Sequence, residues 1–346
     1  MTNETSHPTS GSATPLLQLF QMVGGYWLAQ VVHVVAKLGI ADHLAGGPKP
    51  AEMLARVTAT DPVALARLLR TSAAFGLLEE VEPQTFRLSP LGETLRSDVP
   101  GSARDYAIAI VAPGHWRPWG QLDRAIASGK STFEDEFGMP MWEYYRQHEQ
   151  EGTHFAGAMS CLSTMVAHEV VASYQAAGCK KIVDVGGSQG ELLLALLKQA
   201  PDANGILFDL PYVIEGARQS MQNADLRHRV ELVGGDFFQE MPSGGDLYLL
   251  KQILHDWDNG QCSTILRNIH RAAAPMSKLL IVEMLIPDKP EPSSVFLLDL
   301  SMLVLLGGRE RTRQEFTALL SDAGYHLERI IPTTTGLFSV MEAVHV

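Results

Sequence analysis

Three aspartates at or beside the ends of apolar segments could together hold a nucleoside. Asp184 lies in KIVDVGGSQG, Asp209 in NGILFDL and Asp236 in RVELVGGDFF, at intervals of 25 and 27 residues. If each segment is a strand of one open α/β sheet, these carboxylates lie where such sheets bind ligands. Asp209 could accept hydrogen bonds from ribose hydroxyls and Asp236 from an adenine amino group, with Phe237 flanking the ring. The pattern therefore predicts a site for an adenosine-containing cofactor.

The glycine turn GGSQG, residues 186–190, lies between a predicted strand and the predicted helix 190–200. Glycine lets a ligand approach the backbone, and a helix N-terminus offers free N–H groups. Taken alone, such a turn also fits an NAD site, a nucleoside site or a purely structural turn. The spacing here is not the GxGxxG that suits a pyrophosphate, and the turn comes in mid-chain. Both features favour S-adenosylmethionine over NAD.

Five segments, DVGGSQG, FDLP, GGDFF, KQILHDWD and GGRERT, occur in this order along the chain. In them the sequence resembles the class I S-adenosylmethionine-dependent O-methyltransferases of the caffeate and hydroxyindole type, which include many bacterial natural-product enzymes. The resemblance covers nearly the whole chain from about residue 16. It implies a Rossmann-like methyltransferase sheet, a mainly helical winged-helix domain that forms a homodimer, and catalysis without a metal ion. Ser188 departs from the family pattern, which usually has a third glycine there, and we expect it to tune cofactor affinity.

The catalytic prediction centres on His255 in KQILHDWD. In-line methyl transfer to a hydroxyl requires a deprotonated acceptor, and a phenol with a pKa near roughly 10 benefits from a general base. By resemblance, Glu283 and Glu310 flank this histidine, orient it and raise its basicity. Asp256 is predicted to contact the substrate. Outside this motif, His255 would equally suit a helix cap and Glu283 an ordinary acid at the end of a strand.

The resemblance also implies which residues contact the cofactor. Lys251 matches a lysine near the adenine, and Gly187 matches a glycine beside the methionine portion. Ser163 and Trp142 match positions near the cofactor, although a helix surface residue and a core aromatic would look the same. The full predicted cofactor set is Asp184, Gly186, Gly187, Asp209, Leu210, Asp236, Phe237, Lys251, Ser163 and Trp142.

The elements that position these residues divide the chain into four predicted segments. Residues 1–15 are predicted to form a polar, disordered lead-in without a signal peptide. Residues 16–100 are predicted to form the winged-helix-like dimerisation domain, with helices at 16–38, 49–57 and 62–75 before a hairpin. Residues 101–178 are a helical region that contributes the substrate pocket. In 179–346, strands alternate with helices, which is typical of a parallel sheet, and the chain ends in an antiparallel hairpin.

The acceptor pocket is predicted among the methionine-rich and aromatic helices before the sheet. Methionine and aromatic side chains suit a flat ring, so the implied substrate is a hydroxylated aromatic or polyketide-like molecule. About half of the candidates are expected to contact it, and the others to be core residues. They are Trp116, Trp119, Phe155, Met159 and Met302.

Composition excludes several other functions. With 27 Lys+Arg against 39 Asp+Glu, the net charge of −12 disfavours nucleic acid and anionic membranes as partners. A winged-helix DNA-binding regulator is an alternative that the charge disfavours, since its recognition helix would carry only Arg67 and Arg70 as basic residues. N- or C-methylation, or non-methylating chemistry on the same fold, is the alternative within enzymes.

The three cysteines lack metal-site spacing. The apolar run 295–306 is too short to span a bilayer and is predicted to be a buried helix. We expect a cytoplasmic enzyme of secondary metabolism.

Overall fold

The fold is described from a computed structural model, which describes residues 14–221 and 225–346, without the side chains of residues 219 and 220. The chain forms two compact units, Met1–Val111 and Ala112–Val346. Most of the predicted lead-in, residues 1–13, lies outside the described residues.

The first unit is mainly helical. Its α4 begins where predicted, because the Asp61 side chain accepts a hydrogen bond from the backbone N–H of Ala64 at 2.8 Å, with Pro62 at the first helical position. The predicted helix 49–57 is two residues shorter. Lys49 and Pro50 form a short edge strand instead, where a proline is tolerated. The elements are α1 Pro15–Lys37, α2 Ile40–Leu44, β1 Lys49–Pro50, α3 Ala51–Val57, α4 Pro62–Ala74, β2 Leu78–Glu82, β3 Thr85–Leu88, α5 Pro90–Glu93 and α6 Arg104–Ala109. The strands form an antiparallel sheet in the order β1-β3-β2.

The second unit opens with five helices, as its composition predicts. They pack around a cluster of buried aromatic and aliphatic side chains that includes Phe133, Tyr144 and Tyr145. The helices are α7 Pro113–Trp119, α8 Leu122–Ser128, α9 Phe133–Phe137, α10 Met141–Gln147 and α11 Glu149–Ser173.

A seven-stranded sheet forms the core of the second unit, in the order β11-β12-β8-β7-β4-β5-β6. Five of the strands are parallel, and β11 and β12 add the predicted antiparallel hairpin at one edge. The strands are β4 Lys181–Val185, β5 Asn204–Asp209, β6 Val230–Gly234, β7 Leu247–Lys251, β8 Lys278–Glu283, β9 Leu285–Ile286, β10 Arg311–Thr312, β11 Tyr325–Pro332 and β12 Ser339–His345. The remaining helices are α12 Glu191–Gln199, α13 Pro211–Met221, α14 Asn259–Ala272, α15 Ser294–Leu305 and α16 Arg313–Asp322.

Strand order places a crevice at β4. The chain proceeds outward from β4 to β5 and β6, then returns to place β7 and β8 on the other side of β4. Ligands in open α/β sheets bind at the carboxyl ends of strands where the order reverses in this way. This α/β sheet with a helical first unit is the predicted fold class.

Two sequence predictions about single elements were wrong. The segment KLLIVEMLI is not one strand, because β8 ends at Glu283 and β9 pairs with β10 in a separate two-stranded sheet. The run 295–306 forms α15 over Ser294–Leu305 but is only partly buried, and Leu297 is 64% exposed. An almost uniformly apolar helix gives no polar stripe from which its exposed face could be read.

Candidate functional site

The glycine turn follows β4 in tight packing with its neighbours. A Cβ on Gly187 would lie 2.5 Å from the carboxyl carbon of Asp184, and one on Gly186 would collide with the Ile253 side chain. Gly186 and Gly190 have φ values of +68° and +79°, which favour glycine. Ser188 also has a positive φ, +53°, which explains physically why a glycine is usual at this position.

Asp209 fastens this turn to the end of β5. One of its carboxylate oxygens accepts the backbone N–H of Ser188 at 2.9 Å, and the other accepts that of Leu210 at 2.7 Å. Burial raises the pKa of Asp209, although these two hydrogen bonds oppose the rise. Each carboxylate oxygen retains a further lone pair. Asp209 can therefore accept further hydrogen bonds at this edge of the sheet, and its role toward a ribose stays a prediction.

Asp184 and Lys251, at the ends of the neighbouring strands β4 and β7, influence each other's charge. Asp184 is 2% exposed, and burial raises its pKa to about 7. The positive charge of Lys251 acts in the opposite direction and lowers this pKa. Burial lowers the pKa of Lys251, which Asp184, Glu191, Asp256 and Glu283 oppose. Lys251 is thus a desolvated lysine beside acids.

The end of β6 supplies a short polar and aromatic segment. Asp236 accepts a hydrogen bond from the backbone N–H of Phe238 at 2.9 Å. The Phe237 ring lies edge-on to Phe238 at 4.9 Å and to Trp257 at 6.0 Å between centroids. Both Asp236 and Phe237 are half-buried, so each keeps a surface for a ligand.

The two positions on the preceding helices differ in setting. Ser163 is buried on α11, whereas Trp142 is exposed on α10 with its ring 5.9 Å from that of Phe155. Helix α11 is joined to the glycine turn by a contact that sequence reasoning missed, because Ser160 donates a hydrogen bond to Glu191 in the first turn of α12. Neither Ser160 nor Glu191 belongs to a recognisable sequence motif, so no sequence signal indicated this contact.

His255 is buried in the 3₁₀ turn Leu254–Asp256 that follows β7. Its Nδ1 lies 2.7 Å from Oε1 of Glu310, and its Nε2 lies 3.4 Å from Oδ1 of Asp256. Burial alone lowers the pKa of His255, but Asp256, Glu310 and Glu283 outweigh it and raise that pKa to about 9. The structure therefore brings together an imidazole and the carboxylates that can orient it and increase its basicity.

Glu283 differs from the expectation that it flanks the imidazole as Glu310 does. Its Oε1 accepts the backbone N–H groups of Ile253, Leu254 and His255, at 3.2, 2.7 and 3.3 Å. It therefore holds the 3₁₀ turn and acts on the ring through its charge. Burial raises the pKa of Glu283 to about 7. A strand-end acid bound to backbone N–H groups has no sequence signature that distinguishes it from one bound to a side chain.

The predicted substrate residues differ in burial and in the residues that they contact. Trp119 and Phe155 pack on the aromatic cluster of the second unit, and Trp119 donates from its indole to Ser301 on α15 at 3.3 Å. Phe155 stacks on Tyr145 with centroids 4.5 Å apart. Met302 is buried, Met159 half-buried and Trp116 exposed. Phe155 and Trp119 therefore have core contacts, which the sequence left open.

Neither a metal centre nor a disulfide is found in the part of the chain that the structure describes. Among residues 14–221 and 225–346, no group of three or more His, Cys, Asp or Glu side chains could hold a metal ion. The cysteines Cys161, Cys179 and Cys262 are free thiols.

The residues at the crevice fit an adenosine cofactor with a cationic group. The crowded glycines leave the turn without side chains, as close approach of a ligand to the backbone requires. One oxygen each of Glu283 and Glu310 is buried without a hydrogen-bond partner among the described residues. Unpaired buried carboxylate oxygens favour a positive charge nearby, and this suits a sulfonium better than a pyrophosphate.

Comparison with known proteins identifies two family domains. Residues 119–326 match the O-methyltransferase domain, and residues 20–98 match the O-methyltransferase dimerisation domain.

Helices α1 and α11 are each long and apolar enough to cross a membrane, by length and composition alone. Most of α1 and all of α11 fall within these matched domains, and α11 is partly buried.

Three similar proteins show both the chemistry and its variety. The phenazine O-methyltransferase of Lysobacter antibioticus is 43% identical, over 96% of this chain and 97% of its own. The phenazine-1-carboxylate N-methyltransferase of Pseudomonas aeruginosa is 34% identical, over 90% and 92%. The crystal structure of human N-acetylserotonin methyltransferase in complex with S-adenosylmethionine has a TM-score of 0.89 at 25% identity, over 98% and 99%.

Proposed function

Because this chain belongs to the family of S-adenosylmethionine-dependent O-methyltransferases with an N-terminal dimerisation domain, we propose that it methylates a hydroxyl group of an aromatic or polyketide-like small molecule. The observation that carries the proposal is the buried imidazole of His255, held at Nδ1 by Glu310. An acceptor that is a neutral hydroxyl needs such a base.

The proposed mechanism assigns one task to each residue around His255. S-adenosylmethionine, when bound, supplies an activated methyl group and its leaving group. The Nε2 atom of His255 takes the hydroxyl proton of the acceptor, while Glu310 accepts a hydrogen bond from Nδ1–H and stabilises the imidazolium. Glu283 keeps the 3₁₀ turn in place through the backbone N–H groups. Asp256, 3.4 Å from Nε2, contacts the acceptor beside the base.

The proposed acceptor is flat and largely apolar. Residues Trp119, Phe155 and Met302 come from three different helices of the second unit and offer aromatic and thioether surface. Trp116 and Met159 extend this surface. Cofactor contacts are proposed for the ten residues predicted from the sequence, with Asp209 as the ribose acceptor.

Nitrogen methylation is the second candidate, because a relative that covers most of the chain is named for it. An amine already presents a lone pair, so its methylation depends less on removal of a proton by a base. The dependence of turnover on His255 therefore distinguishes oxygen methylation from nitrogen methylation.

The test incubates the protein with methyl-labelled S-adenosylmethionine and matched pairs of hydroxy and amino aromatics, including a hydroxyphenazine, with mass spectrometry of the products. We expect label on oxygen, and His255→Ala should lower turnover by about 10²- to 10⁴-fold. His228→Ala, at an exposed histidine, is the matched control and should retain turnover. EDTA should not inhibit, since the proposed reaction is metal-independent.

Two results would contradict this proposal. Label found on nitrogen alone would favour the second candidate. Equal turnover by the His255→Ala and His228→Ala proteins would remove His255 from the mechanism.

We further propose a cytoplasmic homodimer that forms through the first unit and binds neither nucleic acid nor membrane. The support is the match to the dimerisation domain together with an apolar face on α1, the α1 face, that is exposed in the single chain. Its members are Leu16, Leu17, Leu19, Phe20, Met22, Val23, Tyr26 and Trp27.

A further inference from the structure

Arg311 is a charged side chain buried close to the proposed base. It is 1% exposed and lies in β10, directly after Glu310. β10 pairs with β9, so that Arg311 lies opposite Leu285, two residues beyond Glu283. This pairing brings the guanidinium into the region of the 3₁₀ turn 254–256.

The guanidinium binds the backbone on both sides of His255. Its Nη1 donates to the carbonyl oxygen of Leu254 at 2.8 Å, and its Nη2 donates to that of Trp257 at 2.8 Å. Nε and Nη2 also donate to Oδ1 of Asn259, at 3.0 and 2.9 Å. A planar group with five fixed donors can span these three acceptors at once, which an ammonium group cannot.

Gly308 and Arg309, just before Arg311 in the chain, also support His255 through backbone contacts. The N–H of Arg309 donates to the carbonyl oxygen of His255 at 2.8 Å, and any Cβ on Gly308 would overlap that oxygen. Glu283 holds the N–H groups of the turn. The 3₁₀ turn is therefore held at its N–H groups by an anion and at its carbonyl groups by a cation.

We propose that Arg311 is a positioning residue for the reaction, which fixes the turn carrying His255 and places a cation close to Glu283. This inference rests on the proposed function of His255 as a base. Arg311 touches neither reacting partner and acts through the turn and through Glu283.

The charges around the imidazole support the second part of the proposal. Burial raises the pKa of Glu283, and Arg311 is among the groups that lower it. Glu283, Asp256 and Glu310 in turn raise the pKa of His255. Loss of the guanidinium should therefore favour neutral Glu283 and weaken the proton affinity of His255. Lys251, which interacts with Asp256 and Glu283, remains in both variants considered below.

The experiment compares Arg311→Lys, which keeps the charge, with Arg311→Met, which removes it. Arg229 offers a matched control, because its guanidinium also donates to backbone carbonyls, those of Leu197, Ala200 and Ala203. The first readout is the NMR titration of the His255 imidazole in the full-length protein, assigned with His255→Ala. The second is turnover of an acceptor found with the labelled cofactor, per folded protein.

We expect Arg311→Met to move the His255 titration to lower pH, and Arg311→Lys and Arg229→Met to leave it in place. Turnover should fall about 10²-fold in Arg311→Met and by a smaller factor in Arg311→Lys, since misplacing a reacting group by about 1 Å has that effect. Binding of S-adenosylhomocysteine should stay within about 2-fold.

If the titration and turnover of folded Arg311→Met match those of Arg229→Met, Arg311 is only structural and the inference is wrong. Should Arg311→Met not fold, Asn259→Ala removes one acceptor of the guanidinium at the start of α14, and unchanged turnover in that protein would overturn the positioning role. If the protein does not methylate a hydroxyl, the proposed function fails while the test of Arg311 remains, because the NMR titration does not depend on methyl transfer.

Discussion

At the scale of single residues, the proposed reaction depends on the protonation of His255. A general base must be neutral to accept a proton, and three acids raise the pKa of this imidazole to about 9 in the protein without ligands. The value of kcat/KM, which reports groups of the free enzyme, should therefore rise with pH up to about 9. The motif KQILHDWD identified the histidine. It could not show that Glu283 binds backbone N–H groups while Glu310 binds the ring, because both are acids after apolar segments.

Glu310→Gln tests this electrostatic coupling. Glutamine can still accept a hydrogen bond from Nδ1–H but carries no charge, so the pKa of His255 should fall. The acid limb of the pH profile of kcat/KM should then shift to lower pH, while the plateau falls because the base is weaker. The control is Glu231→Gln, at an exposed acid on β6. A profile of Glu310→Gln that superimposes on the control would refute the coupling.

At the scale of elements, the strand order explains why distant motifs meet. The strands that carry Asp184, Asp209 and Lys251 are neighbours because β4 lies between β5 and β7. Alternation of apolar strands and helices predicted this parallel sheet. It could not predict that Lys49 and Pro50 join β3, or that β9 leaves the sheet, since two-residue strands have no periodicity of their own.

The glycine turn makes a prediction about stability. Ser188 adopts a φ of +53°, where a side chain costs about 1 kcal/mol relative to glycine. Ser188→Gly should therefore raise the free energy of unfolding by roughly that amount, measured by denaturant titration. Ser188→Ala, which keeps the Cβ, should not. A Ser188→Gly protein that is less stable than the wild type would show that the hydroxyl group outweighs the backbone strain.

At the scale of the whole molecule, the proposed homodimer rests on the exposed α1 face. Large apolar residues are commonly exposed singly, but a contiguous apolar helix face is typical of an interface. Phe20 is 61% exposed there. The high hydrophobicity of residues 16–38 agrees with dimerisation. The three boundaries between the four predicted segments are not fixed by any local sequence signal. The structure divides the chain once, between Val111 and Ala112.

Phe20→Asp should convert the protein from dimer to monomer, because a carboxylate buried in an apolar interface is strongly unfavourable. Light scattering after size-exclusion chromatography measures the mass directly. Met276→Asp, at a 92% exposed methionine in the second unit, is the control and should remain dimeric. Dimers of unchanged mass in both proteins would place the interface elsewhere.

The most direct measurement is a crystal structure of the protein with S-adenosylhomocysteine and an accepted aromatic alcohol. The account predicts ribose hydroxyls on Asp209 at the end of β5 and the acceptor oxygen about 3 Å from Nε2 of His255. A nucleoside at another edge of the sheet, or an acceptor oxygen out of reach of that nitrogen, would contradict it.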